Sequence, residues 1–203
     1  VEKAVLLTGF GPFGSYPRNP TEAIVREMCG QKLGCGLIVY GVVLPSSYTI
    51  APQMVAELID KLSPVAVLSL GYFSRIPRLR VEMRGYNEMK SDYRDSEGVL
   101  LSGAPIEING PEFVDTNADN LQILEAIKQN GIDAELSLDA ERFICNCLIY
   151  SIRRLRPEVL FGYLHTPTPD SFSDLIAGQA GKITIPYNHL RQAVISAIEA
   201  MIR

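Results

Sequence analysis

The sequence predicts a three-layer α/β/α sandwich around a mostly parallel, twisted central sheet. Three observations lead there: short β-branched apolar runs recur along the chain, segments with helical spacing lie between them, and the runs are apolar throughout rather than alternating. Strands buried on both faces read that way, and strand–helix alternation places helices on both sides of the sheet.

The elements follow in order. AVLLT at 4–8 opens the sheet. A helix at 20–29 comes next, with Asn19 as N-cap, Pro20 at the first helical position and Glu22 completing a capping box. LIVYGVV at 37–43, a helix at 48–62 and VAVLSLG at 65–71 continue the alternation. Residues 72–115 break it with many charges, glycine-containing turns at 96–98 and 109–110, and short strands expected at 78–84 and 104–108. An excursion of that length inside a domain is usually functional, so it is expected to cover or complete a site. A helix at 117–129, AELSL at 134–138, a helix at 142–155, VLFGYL at 159–164 and a last helix at 188–202 finish the chain. The 203 residues fit one domain, 1–203.

Composition narrows the partners. Apolar residues make up 47% and charged residues 21%, an ordinary globular balance. A net charge of -4 gives no basic patch for nucleic acid or anionic membranes. No apolar run approaches the roughly 20 residues that span a bilayer, and the chain enters a strand without a cleavable leader, so a cytoplasmic protein is expected. Its four cysteines are too few for a secreted framework and read as reduced thiols.

GFGPFG at 9–14 fits G-x-G-x-x-G and follows a strand, which brings dinucleotide binding into view. Its context argues against that: the motif should open directly into a helix, but Pro12 and Pro17 intervene and the cap is Asn19. The segment reads instead as a rigid turn displaying Phe10 and Phe13 at the carboxyl end of the first strand, where open α/β sheets place ligands, or as two rings packing the core.

Two histidines limit the available chemistry. His165 closes VLFGYL and precedes Thr-Pro-Thr-Pro, which puts it at the carboxyl end of a central strand, whereas His189 stands near the start of the last helix and reads as exposed. Cys145 falls in the first turns of the 142–155 helix, where unpaired N–H groups and the helix dipole favour a thiolate. Burial as a small apolar side chain is the competing reading. Cys147, two residues on, faces away toward the core. The C-x-C spacing and scattered histidines make no zinc set, so neither metal nor cofactor is expected. Cys145 and His165 on neighbouring strand ends would make a nucleophile and base, with a third group needed to set the imidazole tautomer. Spacing leaves Glu82, Glu88 and Asp92 equally open for that part.

Four blocks in order resemble the pyroglutamyl-peptidase I (pyrrolidone-carboxylate peptidase) family of cysteine peptidases over nearly the whole chain. TGFGPFG with Asn19-Pro20 is similar to the family's opening T-G-F-x-P-F-G and its downstream N-P, and LPSSY at 44–48 to its L-P-V-x-Y. FICN at 143–146 resembles its nucleophile segment, and GYLHTP at 162–167 its histidine segment. The resemblance implies a phosphorylase/hydrolase-like α/β/α fold, Cys145 as nucleophile, His165 as base, and Glu82 as the acid, counted forward from Gly71 and back from Asn87. It implies that Phe10 and Phe13 line a pyroglutamyl pocket with Phe143 and Ile144 beside the nucleophile, that the substrates are peptides with an N-terminal pyroglutamate, and that the chain forms a dimer or tetramer.

The chain also departs from the family. YFSRIP replaces a glycine-rich stretch common in bacterial members, Met83 replaces an arginine, and Asp92 stands where an arginine is thought to assist the active site; Arg84 and Arg94 are the candidates to replace it. The family's D-A-G reads Asp139-Ala140-Glu141, a bulky acid in place of a permissive glycine. These differences raise two rival readings: an amide hydrolase of different acyl specificity, and a catalytically silent binding or scaffold protein. A nucleoside-phosphorylase-like enzyme would need a phosphate site that the sequence does not supply.

Overall fold

The computed structural model describes residues 3–178 and 183–203. Its elements are β1 (Ala4–Phe10), α1 (Pro20–Met28), β2 (Ile38–Leu44), α2 (Ile50–Leu62), β3 (Ala66–Tyr72), β4 (Leu79–Glu82), β5 (Arg84–Tyr86), β6 (Met89–Lys90), β7 (Ser102–Ala104), β8 (Phe113–Asp115), α3 (Asn120–Gln129), β9 (Ala134–Ser137), α4 (Ile144–Leu155), β10 (Phe161–Thr166) and α5 (Tyr187–Met201). The central sheet has the order β2-β1-β3-β10-β4-β9. The first four of these run parallel and are apolar; β1, β3 and β10 are mostly buried, while the edge strand β2 is half-buried. β4 runs antiparallel to β10, and β9 parallel to β4, so that edge of the sheet is reversed.

This corrects one expectation. The strand preceding Cys145 is not the neighbour of the histidine strand, because β4 lies between β9 and β10. LRVE alternates as a strand should, with Leu79 and Val81 fully buried among the apolar residues on one face and Arg80 and Glu82 on the other, and its place in the sheet comes from long-range pairing.

Two apolar cores flank the sheet. One packs α1, α3 and α5 against Val5, Leu68, Leu79, Val81 and Leu164. The other packs α2 and α4 against Leu6, Phe10, Val67, Phe161 and Tyr163. At α1, the Asn19 side chain accepts from the Thr21 N–H at 3.0 Å and its amide donates to the Gly11 carbonyl at 3.0 Å, which ties the phenylalanine turn to the helix start. The capping box is not completed, because the Glu22 carboxylate turns along the helix to accept from Arg26 at 2.9 Å.

Within the excursion, β5 pairs with β8 and β6 with β7. A strand at 104–108 does not form: the Asn87 carboxamide oxygen accepts from the N–H groups of Ile106 and Glu107, both at 2.8 Å, which folds those residues into a turn instead of a ladder.

Candidate active site

His165 sits at the carboxyl end of β10 and Glu82 at the end of β4, on adjacent strands and the same sheet face. Their side chains meet at 2.8 Å, His165 Nδ1 to Glu82 Oε1. Both are almost wholly enclosed, and the Glu82 carboxylate has a second cation in Arg80, whose Nε lies 3.5 Å from the same oxygen. A buried carboxylate without such partners would cost several kcal/mol, so the pairing is a condition of the fold as well as of the site. Glu88 instead receives Arg142 at 3.2 Å, and Asp92 lies on the pocket wall. Of the three acids left open by spacing, Glu82 is the one that reaches the imidazole.

Cys145 is the second residue of α4 and is partly exposed. Phe143, the N-cap, gives no side-chain bond, and the first helical bond runs from the Cys147 N–H to the Phe143 carbonyl at 3.1 Å. The N–H groups of residues 144–146 therefore precede the helix ladder, in the same first turn as the thiol and at the positive end of the helix dipole. Cys145 and His165 line one cavity, and the sulfur acts electrostatically on the imidazole. Burial works against a charged imidazole, but the Cys145 sulfur and then the Glu82 carboxylate outweigh it and raise the His165 pKa to about 10. Cys147 shows the contrast: it is 1% exposed, and burial pushes its thiol up to about 12, only partly offset by Ser151.

The excursion is bound along the same helix. The Asn146 carboxamide, next to Cys145 and fully buried, accepts from the Tyr86 N–H at 2.7 Å and donates to the carbonyls of Tyr86 and Glu88 at 2.9 and 2.8 Å. Gly85 permits the contact, since a Cβ there would stand 2.7 Å from the Tyr150 nitrogen. Lys90 N–H then bonds the Arg142 carbonyl at 2.8 Å, and the segment reaches the pocket with Lys90, Ser91, Asp92 and Tyr93.

The cavity holds about 490 Å³ and is lined by Phe10, Phe13, Phe143 and Ile144 together with Cys145 and His165. Phe143 packs against Phe13 at 6.4 Å, Tyr48 at 5.6 Å and Tyr93 at 6.4 Å between ring centroids, so the wall is an aromatic cluster drawn from four separate segments. Phe10 is also part of the apolar core, so the two readings of the opening turn both hold for it. The rim is charged. Arg84 and Arg94 do not stand there: Arg84 pairs with Asp115 at 2.7 Å, and Arg94 donates to the Gly98 carbonyl at 2.7 Å. The pocket arginines are Arg75 and Arg142. Arg75 bonds Glu141 at 2.7 Å, and Glu141 holds a left-handed backbone with φ of 61° where a glycine would be unstrained.

Two residues at the site escaped sequence reasoning. Arg80 and Tyr163 each stand two residues before a singled-out residue on the same strand, and strand alternation points them to the same face. Arg80 also lies 4.9 Å above the Phe73 ring, and Tyr163 stacks edge-on against His165 at 5.3 Å. His189 is exposed, away from the cavity. Among the described residues no group of three or more His, Cys, Asp or Glu is arranged to hold a metal ion, and no helix is long and apolar enough to cross a membrane.

A pyrrolidone-carboxylate peptidase of Halalkalibacterium halodurans is 29% identical over 202 residues, covering 97% of this chain and 98% of the relative. One of Coprothermobacter proteolyticus is 33% identical over 169 residues, 80% of each chain. A mutant pyrrolidone carboxyl peptidase of the hyperthermophile Pyrococcus furiosus superposes with a TM-score of 0.91 at 25% identity over 98% of both chains. The enzyme of Thermococcus litoralis gives 0.90 at 25% identity, covering 98% of this chain and 93% of that one. The pyroglutamyl peptidase family pattern matches residues 3–203, from the first strand through the last helix, and the chain belongs to that family.

Proposed function

We propose that the protein is a cysteine peptidase that removes N-terminal pyroglutamate from peptides through an acyl-enzyme, with Cys145 as nucleophile, His165 as base and Glu82 as its orienting acid. The observation that carries this reading is the buried Glu82–His165 bond at 2.8 Å, with His165 sharing a cavity with a thiol at the uncapped start of α4. Glu82 fixes the imidazole with Nδ1 inward, which leaves Nε2 for the thiol. The Cys145 thiolate attacks the carbonyl joining pyroglutamate to the next residue, and the N–H groups at 144–146 stabilise the oxyanion. His165 protonates the departing amine and then activates the water that hydrolyses the thioester.

Phe10, Phe13, Phe143 and Ile144 suit the lactam ring, which is small and uncharged. A free N-terminal ammonium placed against those rings would lose hydration worth several kcal/mol, which gives specificity by exclusion. The four cysteines stand as free thiols, in keeping with action in the reducing cytoplasm. Asp92 and the Arg75–Glu141 pair at the rim favour a second reading, the same chemistry on another blocked acyl group.

The test is release of a fluorescent amine from a pyroglutamyl amide by wild type, Cys145→Ala, and wild type treated with iodoacetamide. Turnover lost in both treated forms is expected. A reactive Cys145 without turnover would move the assignment to another acyl amide, and an unreactive one would leave a silent scaffold.

A further inference from the structure

The hydroxyl of Tyr163 is a buried polar group that the mechanism above does not use. Tyr163 is 0% exposed, and its oxygen has no hydrogen-bond partner among the described residues. A hydroxyl left unsatisfied at that depth is destabilising, and a phenylalanine would fill the same apolar space without that cost.

The neighbourhood explains its presence. Tyr163 and His165 are alternate residues of β10 and project from the same face over Gly71 of β3. A Cβ on Gly71 would lie 2.6 Å from the Tyr163 oxygen and 2.8 Å from His165 Nε2. The phenol oxygen and the imidazole nitrogen thus converge over one glycine, and the imidazole shares its cavity wall with Cys145, whose sulfur acts electrostatically on both groups.

We propose that the Tyr163 hydroxyl donates to the Cys145 sulfur and, with the His165 ring, holds it as the attacking thiolate. The proposal rests on the nucleophile assignment above. Thiolate sulfur accepts hydrogen bonds well, so the donor without an oxygen partner is satisfied once the sulfur ionises. The phenol keeps its proton throughout: burial first, then the charges of Cys145 and Glu82, push its pKa well above the ordinary tyrosine value. Gly71 fits the same account, because any side chain there would drive the phenol and the imidazole away from the sulfur.

The measurement is the pH dependence of Cys145 alkylation by iodoacetamide, followed by mass spectrometry of the peptide carrying Cys145, in wild type and Tyr163→Phe. Besides His165, the charged groups around the sulfur are Glu82 and Arg80 on β4, Lys90 and Asp92 from the excursion, and the pairs Arg75–Glu141, Arg142–Asp139 and Arg142–Glu88 at the rim. Tyr163→Phe leaves all of them in place. The expected result is an alkylation profile moved up by about one pH unit, with a roughly tenfold slower reaction on its acid side and an unchanged or higher melting temperature.

An unmoved profile overturns the proposal, as does an unmoved profile with reduced kcat, which would assign the hydroxyl to the substrate instead. Alkylation needs no substrate, so the peptidase reading fails separately. A wild type that is alkylated at Cys145 but does not turn over a pyroglutamyl amide would sink that reading and leave the profile to decide Tyr163.

Discussion

Leu164 and His165 are consecutive in β10, and Val81 and Glu82 are consecutive in β4, yet each pair is divided between opposite faces of the sheet. On the face under α1, α3 and α5, Leu68, Leu70, Leu79, Val81 and Leu164 form an apolar layer. On the face under α2 and α4, the same strands also carry Glu82, Tyr163 and His165, and further along a buried bond of 2.7 Å between Thr8 and Ser69. The sheet is therefore a partition. One face is predominantly apolar, with the hydrogen-bonded Tyr72 and Thr166 only at its strand ends, and the other concentrates the buried groups of the site, where Glu82 meets His165 and Thr8 meets Ser69.

The sharpest way to break this contrast is Cys145→Ala or His165→Ala, expected to lower kcat/KM for a pyroglutamyl amide by about a thousandfold or more. Cys147→Ala, two residues along the same helix, should keep turnover and cost about 1 kcal/mol in denaturant unfolding. Next in size is Glu82→Gln, with kcat reduced by about 10² to 10⁴. It removes one of the influences that raise His165, so the imidazolium should be lost at lower pH and the alkaline limb of the rate profile should move down.

The same pair links stability to pH. The folded His165 pKa of about 10 lies above the usual unfolded value near 6.5, so its contribution is complete below about pH 6.5 and declines as pH rises toward 10. Thermal melts across that window should show the decline in wild type and a shallower one in Glu82→Gln. On the apolar face, Leu68→Ala should cost about 2 to 5 kcal/mol in unfolding with kcat per folded molecule unchanged. The smallest effect is expected from Glu141→Gly. Relief of the left-handed backbone is partly cancelled by loss of the exposed Arg75 pair, for a net gain of no more than about 1 kcal/mol in denaturant unfolding.

Much of the scaffold was legible because its signals are local. Fully apolar runs mark β1, β2, β3 and β10, and the Asn19-Pro20 cap fixes α1 within a residue. The Cys145 and His165 positions followed from where those elements end. Glu82 did not follow from spacing, since an antiparallel strand inserted between β9 and β10 is a matter of long-range pairing that RLRVE does not announce. Only the family resemblance selected Glu82 over Glu88 and Asp92. Arg84 and Arg94, the candidates to replace the family's arginine, lie away from the cavity, and chain folding brings Arg75 and Arg142 there instead. Arg80 and Tyr163 could have been found by extending strand alternation back from Glu82 and His165.

The Asn146 carboxamide links two kinds of motion. By holding the Tyr86 and Glu88 backbone from the residue next to Cys145, it makes the excursion and the first turn of α4 one cooperative unit. An opening that frees the Tyr86 amide to exchange with solvent must also release the helix start that carries the thiol. On heating, loss of activity and exchange at Tyr86 should share one free energy, below that of the sheet amides, so the enzyme would fall silent while most of its core is still folded.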